Sequence, residues 1–357
     1  MLTSDDLQRF LIRAYQYVIA RFDIDGFRID TLRYLKGDLA RLFGNSIREF
    51  ALSIGKKNSV TFGEVFDSNA EQDIARFIGR NTSDQSELVG VDAAVDYPLF
   101  NNLKPLVKGF AAPNVLSDMF QRRKLVEKDV LSSHGDATRY FVTFLDNHDV
   151  KERIRYVDPA HPEFDNQVTM GLACLYSLPG IPCLYYGTEQ GLHGSDPAVR
   201  EALWGGPGFS QASPFYIGIQ KIAKVRSEQA ALRYGRVYFR PVSGDGVNFG
   251  ISGFPQGVLA FSRILNDQEV LAVANTNTAQ TQELDVIVET QLSGDGDQFT
   301  VLYSNQPAPV APQPVRSAAQ GSVTVHEVDG STGRGPLHVV HLTLEPLEVQ
   351  ILRNHIA

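Results

Sequence analysis

Three carboxylates stand at the ends of short apolar runs: Asp30 in GFRID, Glu64 in FGEVFD and Asp149 in FLDNHD. Asp30 and Glu64 are 34 residues apart, Glu64 and Asp149 85. A strand–helix unit takes roughly 30–40 residues, so Glu64 ends the strand after that of Asp30, and Asp149 the second strand after Glu64. In β/α barrels the site is built at the C-terminal ends of the strands, so three acids from three strands can converge on one pocket. Arg28 and Asp30, two apart on a strand, point to the same side, where the guanidinium can hold the carboxylate ionised. Glu64 follows Phe62 and Gly63, an apolar setting that favours a protonated acid, and His148 beside Asp149 offers hydrogen bonds to a hydroxyl. Two carboxyl groups of opposite protonation state are what glycosidic bond cleavage requires. Singly, each motif has an ordinary explanation: a structural ion pair, a turn, an Asx-type cap. Their order, placement and spacing together favour catalysis.

The elements that must position these groups alternate. Residues 4–22 predict an amphipathic helix with Leu7, Phe10, Leu11, Ala14, Val18 and Phe22 on one face and Ser4, Asp5 and Asp6 at its start. A strand at 24–30, a helix at 38–54 (Leu42, Phe43, Ile47, Phe50 and Ile54 together), a strand at 59–64 and a helix at 70–78 follow. Next come strands at 91–97, 140–147 and 181–186, with helices at 116–128, 165–178 and 214–230. Such alternation implies parallel pairing. After about residue 235 the pattern changes to short strands between Gly, Asn and Asp turns, at 237–242, 258–264, 270–275, 284–288, 299–303, 323–328 and within 337–352. Residues 236–357 are expected to form an antiparallel β-sandwich domain, interrupted by a Pro-rich loop at 306–314.

Composition narrows the function classes. With 43% apolar and 21% charged residues the chain has material for a core. A net charge of −8 with no basic stripe argues against a nucleic-acid partner and suits a neutral or small one. Cys174 and Cys183 are too few for a disulfide scaffold and are expected as two buried free thiols; no Cys/His cluster has the spacing of a zinc site. The uncharged stretch 168–188 is broken by Pro179, Gly180 and Pro182, so no membrane span is expected. No basic, apolar signal segment opens the chain, and the cellular location stays open.

The motifs resemble those of the α-amylase-type glycoside hydrolases. GFRIDTLRYL is similar to the family's fourth-strand motif, FGEVFD to its fifth, FLDNHD to its seventh and LPGIPCLYYGTEQGL to its eighth-strand segment, in order. The resemblance implies a retaining mechanism in which Asp30 attacks the anomeric carbon, Glu64 is acid then base, and Asp149 binds ring hydroxyls, with Arg28 and His148 in support. Arg33 and Tyr34 stand where many members carry Lys-His, a position implied to line the leaving-group side. Tyr186, Glu189 and Trp204 are candidates for the cleft, Trp204 equally for domain packing. The expected fold is α/β: an incomplete (β/α)8 TIM-type barrel, strands four to eight, over 1–235, plus the β-sandwich. Strands one to three and the early Asp…Asn-His motif have no counterpart, and five strands leave two open edges. No cofactor is implied, since the family's structural calcium draws on the absent part. The expected partner is an α-glucan or oligosaccharide, with a second chain supplying the remaining strands as one resolution. The competing readings are a catalytically silent, glycosidase-like interaction or scaffold protein and an α-glucan transglycosylase.

Overall fold

The computed structural model describes residues 4–35, 37–66, 74, 77–81, 90–127, 130–132, 135–307, 310–318, 323–327 and 329–355. The chain divides into two compact units, Met1–Phe100 with Met119–Thr143, and Asn101–Asp118 with Phe144–Ala357.

The first unit is built on parallel strands, as the alternation predicts. β1 (Gly26–Ile29), β2 (Val60–Gly63) and β3 (Ala93–Ala94) lie side by side in that order, and Val95 bridges Val142 in the same sense. Close approach of β1 to β2 depends on Gly26, where a Cβ would fall 1.9 Å from the Val60 carbonyl oxygen. Leu32, Val65, Val91, Ala93, Ala94 and Phe141 form the core behind this sheet.

Helix α1 (Ser4–Phe22) occupies its predicted span but presents a different face. Ile12 and Ile19, two turns apart, are buried, while Leu7, Phe10, Leu11 and Phe22 are exposed. The helix is held to α2 (Gly37–Ser53) by the Gln16 amide, which donates to the Ser46 carbonyl at 3.2 Å. The broad apolar face predicted as core is thus uncovered among the described residues. On α2 Ile47 is buried as expected, with Ala40 and Ala51, but Leu42 is exposed, as is Ile54 just beyond the helix.

The strand expected at 91–97 is cut short by a helix that periodicity does not reveal, α3 (Tyr97–Val107). Asp96 caps it, accepting from the Leu99 N–H at 3.1 Å, and Pro98 follows in the first turn. The same buried carboxylate takes two bonds from Arg123, whose guanidinium lies over Phe120 and Phe141. Arg123 is on α4 (Asn114–Glu127). The helix expected at 70–78 falls largely outside the described residues.

The second unit carries α5 (Asn166–Ser177), α6 (Pro214–Glu228), α7 (Ala230–Tyr234) and the β-rich tail. The tail's main strands are β4 (Arg236–Phe239), β5 (Val242–Ser243), β6 (Val258–Leu265), β7 (Gln268–Asn275), β8 (Gln282–Val288), β9 (Gln298–Ser304), β10 (Gln313–Ser317), β11 (His338–Leu344) and β12 (Val349–His355). They form one sheet in the order β5-β8-β11-β10-β9-β12-β7-β6-β4, antiparallel throughout. Both halves feed one core: Val286, Val340 and Leu342 meet Leu271, Val273, Phe299 and Leu352. The apolar run at 337–352 is two strands, reversed at Leu347, which adopts φ 57°.

Strand conformation at 140–147 and 181–186 is confined to Val142–Thr143 and Ile181–Pro182. Beyond Thr143 the chain is drawn into a loop by Asp146, which accepts from the Ile154 N–H at 2.6 Å. Of the two thiols expected to be buried, Cys174 is, but Cys183 is exposed, because the chain around it is too briefly a strand to be covered on both faces. No helix among the described residues is long and apolar enough to cross a membrane.

Candidate active site

Asp30 and Glu64 end neighbouring parallel strands, and one side chain touches both. Arg28 places Nη1 2.9 Å from Asp30 Oδ1 and Nη2 3.4 Å from Glu64 Oε2. The two acids therefore lie within the span of a single guanidinium, on the side of β1 that the two-residue spacing predicts. They are not equivalent. The Asp30 side chain is 67% exposed, whereas Glu64 is buried.

The backbone after Asp30 serves Glu64. Thr31 is held at φ 52°, ψ 32°, left-handed and unfavourable for a β-branched residue. That turn aims the Thr31 N–H at Glu64 Oε2, 3.2 Å away, while the Tyr97 hydroxyl donates to Oε1 at 3.1 Å. The setting of Glu64 is thus polar and not the apolar one its neighbours in sequence suggest. Gly63 is required here for space: a Cβ would meet the buried Leu32 side chain at 2.0 Å. Leu32, Arg33 and Tyr34 form a 3-10 turn. Arg33 donates to the Phe66 carbonyl at 3.2 Å, and Tyr34 projects into solvent. A cavity of about 330 Å³ opens beside Asp30 and Arg28, walled by Leu11, Tyr15, Phe27, Ile29 and Phe43.

In the second unit Asp149 has its own set of partners. Its N–H donates to Asn147 Oδ1 at 2.8 Å, an Asx turn, and its carboxylate lies 3.1 Å from His148 Nε2 and 3.1 Å from Arg200 Nη2. Arg200 also donates to the His148 carbonyl at 3.1 Å. The loop stands on a buried ionic layer. Lys104 lies 3.6 Å from Asp146 and bonds the Glu152 carbonyl, and Lys108 pairs with the Glu152 carboxylate at 3.1 Å. Burial pulls the Lys104 ammonium below its ordinary value and pushes the Asp146 carboxyl above its own. Arg153, also buried, bonds Glu201 and the Tyr186 carbonyl. Glu189 is spent locally, accepting from the Gly187 N–H at 2.8 Å.

A family model described as "Alpha amylase, catalytic domain" matches residues 1–233. The chain belongs to the α-amylase family. Among curated relatives, α-amylase 1 of Lipomyces kononenkoae is 30% identical over 215 residues, 59% of this chain and 28% of that protein. The cyclomaltodextrin glucanotransferase of Klebsiella oxytoca is 23% identical over 313 residues, 79% of this chain and 44% of the relative. The chain thus spans less than half the length of either relative. Its fold is that of solved amylases. The α-amylase from Geobacillus thermoleovorans, solved with acarbose, superposes with a TM-score of 0.66 at 20% identity, over 99% of this chain and 65% of that one. The γ-cyclomaltodextrin glucanotransferase from alkalophilic Bacillus clarkii gives 0.68 at 21% identity, over 98% and 43%.

For this α-amylase family chain, the groups missing from the sequence reading are Thr31, Tyr97 and Arg200. The N–H of Thr31 carries no side-chain signal. Tyr97 falls at the end of an expected strand and is instead the first residue of α3. Arg200 is 51 residues from Asp149 in a segment without periodicity. Among the described residues no three or more His, Cys, Asp or Glu side chains group as a metal site.

Proposed function

We propose that this chain carries the carboxyl pair of a retaining reaction at α-glucosidic bonds of α-glucans or oligosaccharides, with 1–235 the catalytic portion and 236–357 an accessory β domain. The observation that carries the reading is the Arg28 guanidinium lying on both Asp30 and Glu64, one exposed and one buried. The exposed Asp30 carboxylate attacks the anomeric carbon and forms a glycosyl ester while Glu64 gives a proton to the departing oxygen. Glu64 then takes a proton from the incoming water or sugar hydroxyl, which attacks the ester and frees Asp30. Asp149, held by His148 and Arg200, binds ring hydroxyls, and Arg33 and Tyr34 border the leaving-group side. No cofactor, nucleic acid or membrane enters this reading.

β1 pairs only with β2 among the described residues, and its open edge lies next to the apolar cavity beside Asp30. This supports an incomplete barrel, strands four to eight, whose wall is completed by a further polypeptide segment on the same or a second chain. Catalysis depends on a dry, preorganised site, so the 357 residues alone are expected to turn over slowly. The test is maltooligosaccharide turnover by the purified chain, alone and with the N-terminal part of a longer relative added in trans, with the product anomer followed by NMR. Retained configuration that disappears in Asp30→Asn is the expected result. An inverted anomer, or full turnover by Asp30→Asn, would falsify the assignment. Absence of turnover in every condition would favour a glycosidase-like binding protein.

A further inference from the structure

Of the apolar residues of α1, only Ile12 and Ile19 are buried, although the helix is 19 residues long. Leu7, Phe10, Leu11 and Tyr17 are 53, 68, 39 and 62% exposed. Ala14 is exposed and Val18 half-buried. Positions 7, 11, 14 and 18, spaced four, three and four apart, fall on one stripe, and Phe10 and Tyr17 border it on one side. That is the spacing of a helix-to-helix seam. Single exposed apolar side chains are ordinary, but a stripe running the length of a helix is a contact surface.

The stripe is complementary to itself when reversed. In an antiparallel pair of α1 helices centred between Ile12 and Arg13, Leu7 meets Val18 of a second copy and Leu11 meets Ala14. Every layer then sets a larger side chain against a smaller one, which lets two helices approach closely. The same reversal brings Phe10 to Tyr17 along the border and Asp6 toward Arg21. Charge supports this direction: the first turn of α1 carries Asp5 and Asp6 and the last turn Arg21. An antiparallel pair joins opposite charges at both ends and opposes the two helix dipoles, whereas a parallel pair would set like charges together.

We propose that α1 is a self-association surface, through which two copies of this chain pair in an antiparallel α1–α1 seam. The proposal is independent of the catalytic reading. Fully covered, a large aromatic side chain buries about 150–250 Å², so four half-exposed large side chains on each copy bring the seam to roughly 900 Å², the size of a weak, reversible contact.

The test is sedimentation velocity of the full chain over a concentration series. A 39.4 kDa monomer should give way to a dimer, with a Kd of about 10 µM. Ala14→Glu places a charge in the centre of the stripe at an exposed position and keeps a good helix former there, and should weaken pairing about a hundredfold. Asp6→Arg and Arg21→Asp should each weaken it about tenfold, and the double variant, which exchanges the two charges, should restore it. Circular dichroism checks that each variant is folded. A chain that stays monomeric up to about 100 µM overturns the proposal. So does a dimer that Ala14→Glu leaves intact, or a double variant as weak as the single ones. A dimer that dissolves when the N-terminal part of a longer relative is added also overturns it, and would give the face to that segment.

Discussion

At the scale of the residue, the groups that hold the candidate acids are more telling than the acids themselves. Lys104 and Asp146 are both buried beneath the Asn147–Asp149 turn, so removing one partner leaves a charge in a poorly solvated place. Lys104→Ala is expected to cost about 3 kcal/mol at neutral pH, read by urea denaturation. The sign of its pH dependence follows from burial, which raises the Asp146 carboxyl. The stabilising contribution of that group is complete below its ordinary value of 3.8 and is lost as pH rises through the higher folded value. The Lys104→Ala penalty should therefore be smaller near pH 4 than at pH 7; an equal penalty at both would mean that Asp146 is not the group left exposed to the loss. The two thiols give an independent check. Burial pushes Cys174 up to about 12 while Cys183 is exposed, so native protein should react with a thiol reagent at Cys183 alone and at both only when unfolded. The Cys174 contribution to stability is intact below its ordinary value of 9.0 and declines as pH rises toward 12.

Among the elements, α1 separates what periodicity can and cannot tell. Its apolar stripe is genuine, yet the residues that bury are Ile12 and Ile19, and Phe10 remains 68% exposed. A helix with apolar residues on more than one face is oriented by whichever neighbour it meets, and here that neighbour is α2 through Gln16 and Ser46. Ile19→Ala is accordingly expected to destabilise by about 2–4 kcal/mol and Phe10→Ser by no more than about 0.5 kcal/mol, measured as midpoint shifts in denaturant. The reverse ranking would place the predicted face in the core after all. α3 shows a different limit: Asp-Tyr-Pro at 96–98 reads equally as a strand end and as a helix start, and the buried pairing of Asp96 with Arg123 accompanies the second.

For the molecule as a whole, the division into compact units does not follow the change of texture at 235. Helices α5 to α7 belong with the β module, and the bonds between them are specific. Arg263 on β6 donates to the carbonyls of Ser177 and Gly235 at 2.7 and 2.8 Å, and the Asn305 amide donates to the Asn166 carbonyl at 3.4 Å and to Thr169 Oγ1 at 3.3 Å on α5. Native-state hydrogen exchange should therefore show Leu172 on α5 and Val273 on β7 opening with the same free energy, with α1 opening at a lower one. A β module that exchanges independently of α5 would contradict this. With no metal-type cluster among the described residues, a chelator is expected to leave the melting temperature unchanged, and a fall of many degrees would point to a site outside them.

What the sequence determined by itself was local or one-dimensional. The order GFRID, FGEVFD placed Asp30 and Glu64 at the ends of neighbouring strands, the two-residue offset put Arg28 beside Asp30, and period-two alternation after 235 announced the antiparallel module. These follow because strand periodicity and chain order are properties of neighbours in sequence. Tertiary structure alone decided that Glu64 is bonded by the Thr31 N–H and the Tyr97 hydroxyl, that Arg200 reaches back to Asp149, that α1 turns its broad apolar face outward and that Trp204 stands in water. Each of these depends on which distant segment arrives at a given surface, and a side chain's burial or partner is a property of that arrival, which no local pattern encodes.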